Sequence, residues 1–182
     1  LGSPAAGTQT VVNTNTLALV NGSGSASNYS LVGGTLTMTI LPRSTSVTGS
    51  RSYDGTQTIN PSDLTVFSNL ASSDTLSLTG SGTVVSANAG TGKNVSLGSL
   101  ALDNSSGVGS NYTLTSATVD ITQRVLNLDG IRAFDGSTTA SSSNITIGNL
   151  VSGENLTLSG SGTIPNNSVE MNKAITRGRL AI

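Results

Sequence analysis

The sequence predicts an all-β protein, organised as tandem β-sandwich domains of immunoglobulin-like size. Three observations predict it. Ser, Thr, Asn and Gly dominate, while Ala, Leu, Glu, Lys and Arg are scarce together, which favours strands and turns over helices. Apolar residues alternate with polar ones along several short segments. A stretch of roughly 80 residues also recurs along the chain.

Composition bounds the chemistry. With 182 residues and 35% hydrophobic content the chain can bury a real core. Only 9% of residues are charged and the net charge is -1, so neither a nucleic-acid footprint nor a polybasic membrane anchor is present. Cys, His and Trp are absent. Their absence excludes disulfides, zinc sites of the Cys/His kind and His-dependent acid–base or triad chemistry. No apolar run approaches the length of a membrane-spanning helix. We therefore expect no catalytic, cofactor-binding or metal-ligating residues, no nucleic-acid partner and no membrane insertion.

The elements follow from the repeat. AGTQTVVNTNTLALVNGSGSASNYSLVGGTLTMT, from Ala6, aligns without a gap to AGTGKNVSLGSLALDNSSGVGSNYTLTSATVDIT, which starts 83 residues later at Ala89. LTVFSNLASSDTLSLTGSGTV, from Leu64, matches ITIGNLVSGENLTLSGSGTI, from Ile145. Residues 1–42 thus read as the second half of a repeat and a possible donor segment, residues 43–122 as a complete central repeat, and residues 123–182 as a trailing repeat without its last hairpin. Within a repeat, Leu76 and Leu78 alternate with Thr75, Ser77 and Thr79, and Val119 and Ile121 with Thr118, Asp120 and Thr122, as half-buried strands do. GSG, NSSG, DG and PSD clusters separate the strands as hairpin connections. Six to eight short strands per unit suit an immunoglobulin-like sandwich; small β-grasp-like repeats are the alternative.

Two loops carry the most distinctive motif. RSYDGTQT, from Arg51, and IRAFDGSTT, from Ile131, each place an aromatic two residues after an arginine and before Asp-Gly. Tyr53-Asp54-Gly55 falls on Phe134-Asp135-Gly136, and Tyr29 falls on Tyr112, so four of the five aromatics occupy repeated positions. Asp-Gly is a tight-turn dipeptide, and the aromatics read as structural anchors of turns rather than ligand-stacking groups. The expected inward-facing set is Tyr53, Leu76, Leu78, Val95, Tyr112, Val119 and Ile121. AGTGKN, from Ala89, lacks the spacing of a phosphate-binding loop, so it reads as a hairpin turn with Lys93 and its counterpart Lys173 exposed. A Lys–Asn crosslink with Asp120 as its carboxylate is disfavoured on burial. Phe67, replaced by Gly148, and the Arg177-Gly178-Arg179 stretch break the repeat symmetry.

The order YDGT, then L-x-L-x-G-x-G, then AGTGK, NYTL and a closing D-I-T resembles the YDG-type repeats of very large secreted bacterial proteins, the filamentous haemagglutinin-like adhesins. The resemblance implies an extracellular stalk, adhesive or matrix-forming role, and no activity. The expectation is a structural or adhesive segment of a secreted, cell-surface fibre, with a glycan- or host-protein-binding module as the alternative. An enzyme would need paired carboxylates, and the nine acidic residues are scattered through turns. The expected partners are other copies of the chain or neighbouring repeats, with a surface glycan or protein ligand possible. Because the leading half carries the piece that the trailing repeat lacks, Asn28, Tyr29, Leu31, Leu36, Met38 and Ile40 are expected on a strand that completes the trailing sheet, from another molecule or the same chain.

Overall fold

The computed structural model describes residues 4–10, 17–32, 36–71 and 73–182. Among these the protein is all-β, with 3-10 turns but no α-helix. The strands are β1 (Gly7–Thr10), β2 (Thr37–Ile40), β3 (Arg43–Ser52), β4 (Thr58–Ile59), β5 (Val66–Phe67), β6 (Leu76–Thr79), β7 (Gly82–Val84), β8 (Gly90–Ser96), β9 (Ala101–Asn104), β10 (Tyr112–Thr122), β11 (Asn127–Gly130), β12 (Thr139–Ser141), β13 (Ile145–Gly148) and β14 (Ser161–Thr163). They fall into two compact units, residues 1–51 with 56–122, and residues 52–55 with 123–182.

In the first unit six strands form one sheet in the order β4-β7-β8-β10-β3-β5. The long strand β10 carries Ala117, Val119 and Ile121 at alternate, buried positions, as a strand with one buried face requires. It lies between β8 and β3, so it is the joint between the β4-β7-β8 group and the β3-β5 pair. Val47 on β3, Ile59 on β4, Val84 on β7 and Val95 on β8 complete the core with Leu64 and Leu100. β6 and β9 form a separate ribbon in the register Leu76↔Asn104 to Thr79↔Ala101.

The GSG turn shows why the repeat keeps glycine at both places. Gly80 sits at φ +75°, and a Cβ there would stand 2.0 Å from the Ser99 carbonyl oxygen. A Cβ on Gly82 would come within 2.5 Å of Val95 Cγ1. Gly160 and Gly162 of the second unit meet the same neighbours one repeat on, the Arg179 carbonyl and Ile175.

The second unit repeats several pairings of the first. Thr58↔Thr83 and Ile59↔Gly82 recur as Thr139↔Thr163 and Ala140↔Gly162. Thr79↔Ala101 and Thr83↔Ser96 recur as the bridges Ser159↔Ala181 and Thr163↔Thr176. Here, however, β11-β13 and β12-β14 are two separate two-stranded pieces. No described strand of this unit takes the place that β10 holds between their counterparts.

Several expectations differ from this arrangement. The central unit has one six-stranded sheet and a ribbon rather than the two similar sheets of an immunoglobulin domain. Residues 1–42 do not stand apart as a unit of their own but group with the central repeat. Thr37–Ile40 pair with Gly7–Thr10, from Gly7↔Ile40 to Thr10↔Thr37, so the half-repeat satisfies one edge of its strand internally, much as β8 and β10 pair in the central copy. Asn28 ends the 3-10 turn Ala26–Asn28 rather than joining a strand, and Tyr29 and Leu31 follow it outside any strand. Residues 33–35 of the expected 28–40 strand lie outside the described residues.

Candidate functional site

The residues singled out by the repeat sit in loops, and each loop is held by a long side chain that closes on the backbone. At the first motif Arg51 closes the loop, its Nη1 donating to Thr56 Oγ1 at 3.1 Å and its Nη2 to the Thr56 carbonyl. One repeat on, Arg132 donates to the Ser137 carbonyl and to Asp135 Oδ1, which also accepts the Ser137 N–H at 2.8 Å. Gly55 and Gly136, at φ +79° and +77°, make the turn. The guanidinium fork suits this bracing because it reaches two oxygens at once. The Ser137 N–H and the Arg132 guanidinium hold the Asp135 carboxyl below its ordinary value.

The aromatics divide in two. Tyr112, 7% exposed, follows the 3-10 turn Gly109–Asn111 and enters the core. Its hydroxyl donates to Asp74 Oδ2 and accepts the Ala71 N–H at 3.1 Å, which ties the 71–74 turn to β10. Tyr53 is half-buried, and its hydroxyl donates to Glu154, the residue equivalent to Asp74 in the trailing repeat. Phe134 is 67% exposed and Tyr29 71% exposed. The expectation of inward anchors therefore fails for Phe134 and Tyr29 and holds Tyr53 only halfway. The Arg brace and the Gly fix the YDG turn without burying its ring. Tyr29 lies in a second-half segment, whereas the 71–74 turn that Tyr112 pins belongs to a first half.

The hydrogen bond to Asp74 raises the Tyr112 hydroxyl above its ordinary value near 10, against a smaller opposite effect of the Ala71 N–H. Since the folded value lies above the unfolded one, this contribution is fully present below about pH 10 and is lost as pH rises through the folded value. Denaturant midpoints measured from pH 8 to 11 should fall on the alkaline side for the native chain. The fall should be smaller in Tyr112→Phe, and equal slopes would refute the coupling.

Two further braces escape a reading of the sequence. Asn69, at φ 57°, accepts Arg43 Nη2 at 2.7 Å and donates to the Ser44 carbonyl at 2.8 Å. Asn149, at φ 51°, donates to the Val125 carbonyl at 2.8 Å, and its own carbonyl accepts Arg124 Nε at 2.6 Å. The recurrence of Arg and Asn one repeat apart was the available signal. The lysines are likewise not free in solvent. Lys93 Nζ donates to the Asn88 carbonyl at 2.9 Å, and Lys173, its side chain 10% exposed, donates to Asn166 Oδ1 at 2.6 Å and to the Ser168 carbonyl. Both clamp the turn that precedes them. Asp120 accepts the Gly92 N–H at 2.6 Å, so it holds the β8 turn rather than serving a lysine.

This Arg-braced loop and the tyrosine-pinned turn lie in one stretch of chain. Residues 35–119 are similar to the YDG domain. No curated protein and no solved structure matches the chain. The similar stretch takes in β2 to most of β10, so it contains Tyr53-Asp54-Gly55, Gly80, Gly82, Lys93 and Tyr112. Phe67, one of the symmetry-breaking residues, lies in the same stretch and is half-buried on β5 opposite Val47. Outside that stretch, Arg177-Gly178-Arg179 forms a turn in which the Arg179 N–H donates to the Ser161 carbonyl at 2.9 Å, as Ser99 does to Ser81 at 3.0 Å within it. Among the described residues no group of three or more acidic, His or Cys side chains is placed to hold a metal ion.

Proposed function

We propose that the chain is a structural and adhesive repeat segment of a secreted bacterial surface fibre or matrix filament, of the filamentous haemagglutinin-like kind, and that it catalyses no reaction. Its units act as tandem β-domains of roughly 80 residues whose task is spacing and cohesion. The observation that supports this best is the repetition of backbone pairings between the two units, Thr58↔Thr83 as Thr139↔Thr163 and Thr79↔Ala101 as Ser159↔Ala181. Sequences that repeat a pairing pattern with exposed, hydroxyl-rich faces build arrays in which each unit contacts its neighbours. The distinctive residues also close loops, as Arg51, Arg132, Asn69 and Lys173 do, rather than converge on a cleft.

The test is electron microscopy of the purified chain together with a glycan array. Filaments or extended particles and a featureless array support the scaffold. A saturable glycan ligand that competes at one copy only overturns it in favour of a binding module.

A further inference from the structure

Asn21 is followed by Gly22, and no other asparagine of the chain precedes a glycine. Both residues are exposed. The Asn21 side chain is held at the start of a turn, where its Oδ1 accepts the N–H of Ala26, the first residue of the 3-10 turn Ala26–Asn28, at 2.7 Å.

The central repeat holds a twin of this loop. Asn104, 83 residues on, accepts the Gly109 N–H at the same 2.7 Å, at the start of the 3-10 turn Gly109–Asn111. It too is exposed, so the exposure of Asn21 belongs to this kind of loop. The next N–H is bonded alike in both, Gly22 to the Gly24 carbonyl at 3.3 Å and Ser105 to the Gly107 carbonyl at 3.1 Å. What differs is the side chain after the asparagine, none in one loop and a serine in the other.

That difference bears on one reaction. The backbone nitrogen that follows an asparagine closes on the carboxamide carbon when the chain can fold to bring the two together. A side chain on the following residue hinders that approach, whereas glycine adds no bulk and widens the accessible φ and ψ. The loop also has room, since a Cβ at Gly22 would meet nothing within 4 Å. The Ala26 N–H places a donor on the carboxamide oxygen, where negative charge develops as the nitrogen adds.

We infer that Asn21 is a site of spontaneous deamidation through a cyclic imide with Gly22, with water as the co-reactant. Hydroxide removes the Gly22 amide proton and the nitrogen forms a bond to Asn21 Cγ. The Cγ–Nδ2 bond breaks, and ammonia leaves with a proton taken from water, which restores the hydroxide. Water then opens the imide at either carbonyl. Opening at Cγ leaves an aspartyl residue on the ordinary backbone. Opening at the main-chain carbonyl carries the backbone through the side chain, as an isoaspartyl link. Either product adds one negative charge to a chain whose net charge is -1. The aspartyl carboxylate keeps the Ala26 N–H and binds it more strongly than the amide did. The isoaspartyl link displaces its carboxylate and releases that N–H. The loop thus changes with age rather than with a ligand, whether or not the chain builds a fibre.

The test keeps the full-length chain at neutral pH for days and follows Asn21 and Asn104 in the same sample by peptide mass spectrometry. The readout is the mass gained when the amide NH2 becomes OH, with chromatography separating the two isomers of equal mass. Asn21 should convert at least about 10-fold faster than Asn104, give both isomers, and react faster in proportion to hydroxide. Gly22→Ser gives the loop the residue that its twin already carries, and should slow Asn21 to the rate of Asn104. Asn21→Asp supplies the aspartyl product, and hydrogen exchange at Ala26 should be faster in the isoaspartyl product than in this variant. Conversion at Asn21 no faster than at Asn104, an aspartyl product alone, or a Gly22→Ser chain that reacts like the native one overturns the inference.

Discussion

Val119→Asp should abolish the cooperative unfolding transition of residues 56–122. Val119 is almost wholly inaccessible on β10, where its neighbours on the same face are Ala117 and Ile121. A carboxylate there would stand opposite Lys93 on β8, whose Nζ the Asn88 carbonyl already holds, and burying a charge without a full partner costs several kcal/mol. Since a domain of this size holds only about 5–15 kcal/mol in total, that loss removes much or all of it. The effect is larger than truncating a neighbour, because Val95→Ala deletes apolar volume worth about 1–3 kcal/mol and leaves the joint in place. Circular-dichroism melts check this against Thr83→Asp, a substitution at an exposed position of β7. Indistinguishable melting of the two variants would refute the role of β10 as the joint.

Gly80→Ala is expected to cost about 3 kcal/mol or more, well beyond an ordinary surface change. A non-glycine residue held at positive φ costs of order 1–3 kcal/mol by itself. To that is added a Cβ only 2.0 Å from the Ser99 carbonyl oxygen, a backbone atom that cannot swing aside. Gly160→Ala should act alike on the second unit, where the Arg179 carbonyl stands at 2.1 Å. Chemical denaturation of both variants measures it, and a loss below about 1 kcal/mol in either would show that the turn relaxes freely.

The core strands were legible in the sequence because their signal is periodic. Leu76, Val95, Val119 and Ile121 alternate with hydroxyl residues and are buried, and Tyr112 lies inside with them. Recurrence alone could not say which way an aromatic points. Tyr53 and Phe134 recur as faithfully as Tyr112, yet their turns are fixed by an arginine five residues from its acceptor and by a glycine at positive φ, so the Phe134 ring is left at the surface and the Tyr53 ring only half-buried. The Arg43–Asn69 brace links residues 26 apart, a distance at which a single sequence carries no contact signal. The lysines misled for a related reason. A Gly-rich turn suggests a solvated side chain, but Lys173 folds back over its own loop and spends its donors on Asn166 and Ser168. The alignment suggested a donor strand, whereas Thr37–Ile40 pair with Gly7–Thr10 as β10 pairs with β8 in the central copy.

The position of β10 also sets a timetable. Thr115 on β10 bonds to Thr45 on β3, 70 residues earlier, so the main sheet cannot close until almost the whole repeat has been made. Bringing such distant segments together precedes any reward from their contact, which makes folding slow compared with the helical or hairpin events of a smaller domain. Until then, the β3-β5 pair and the β4-β7-β8 group can form only as separate fragments, each marginal in water. A chain made from its N-terminus therefore holds this sheet unclosed until β10 has emerged.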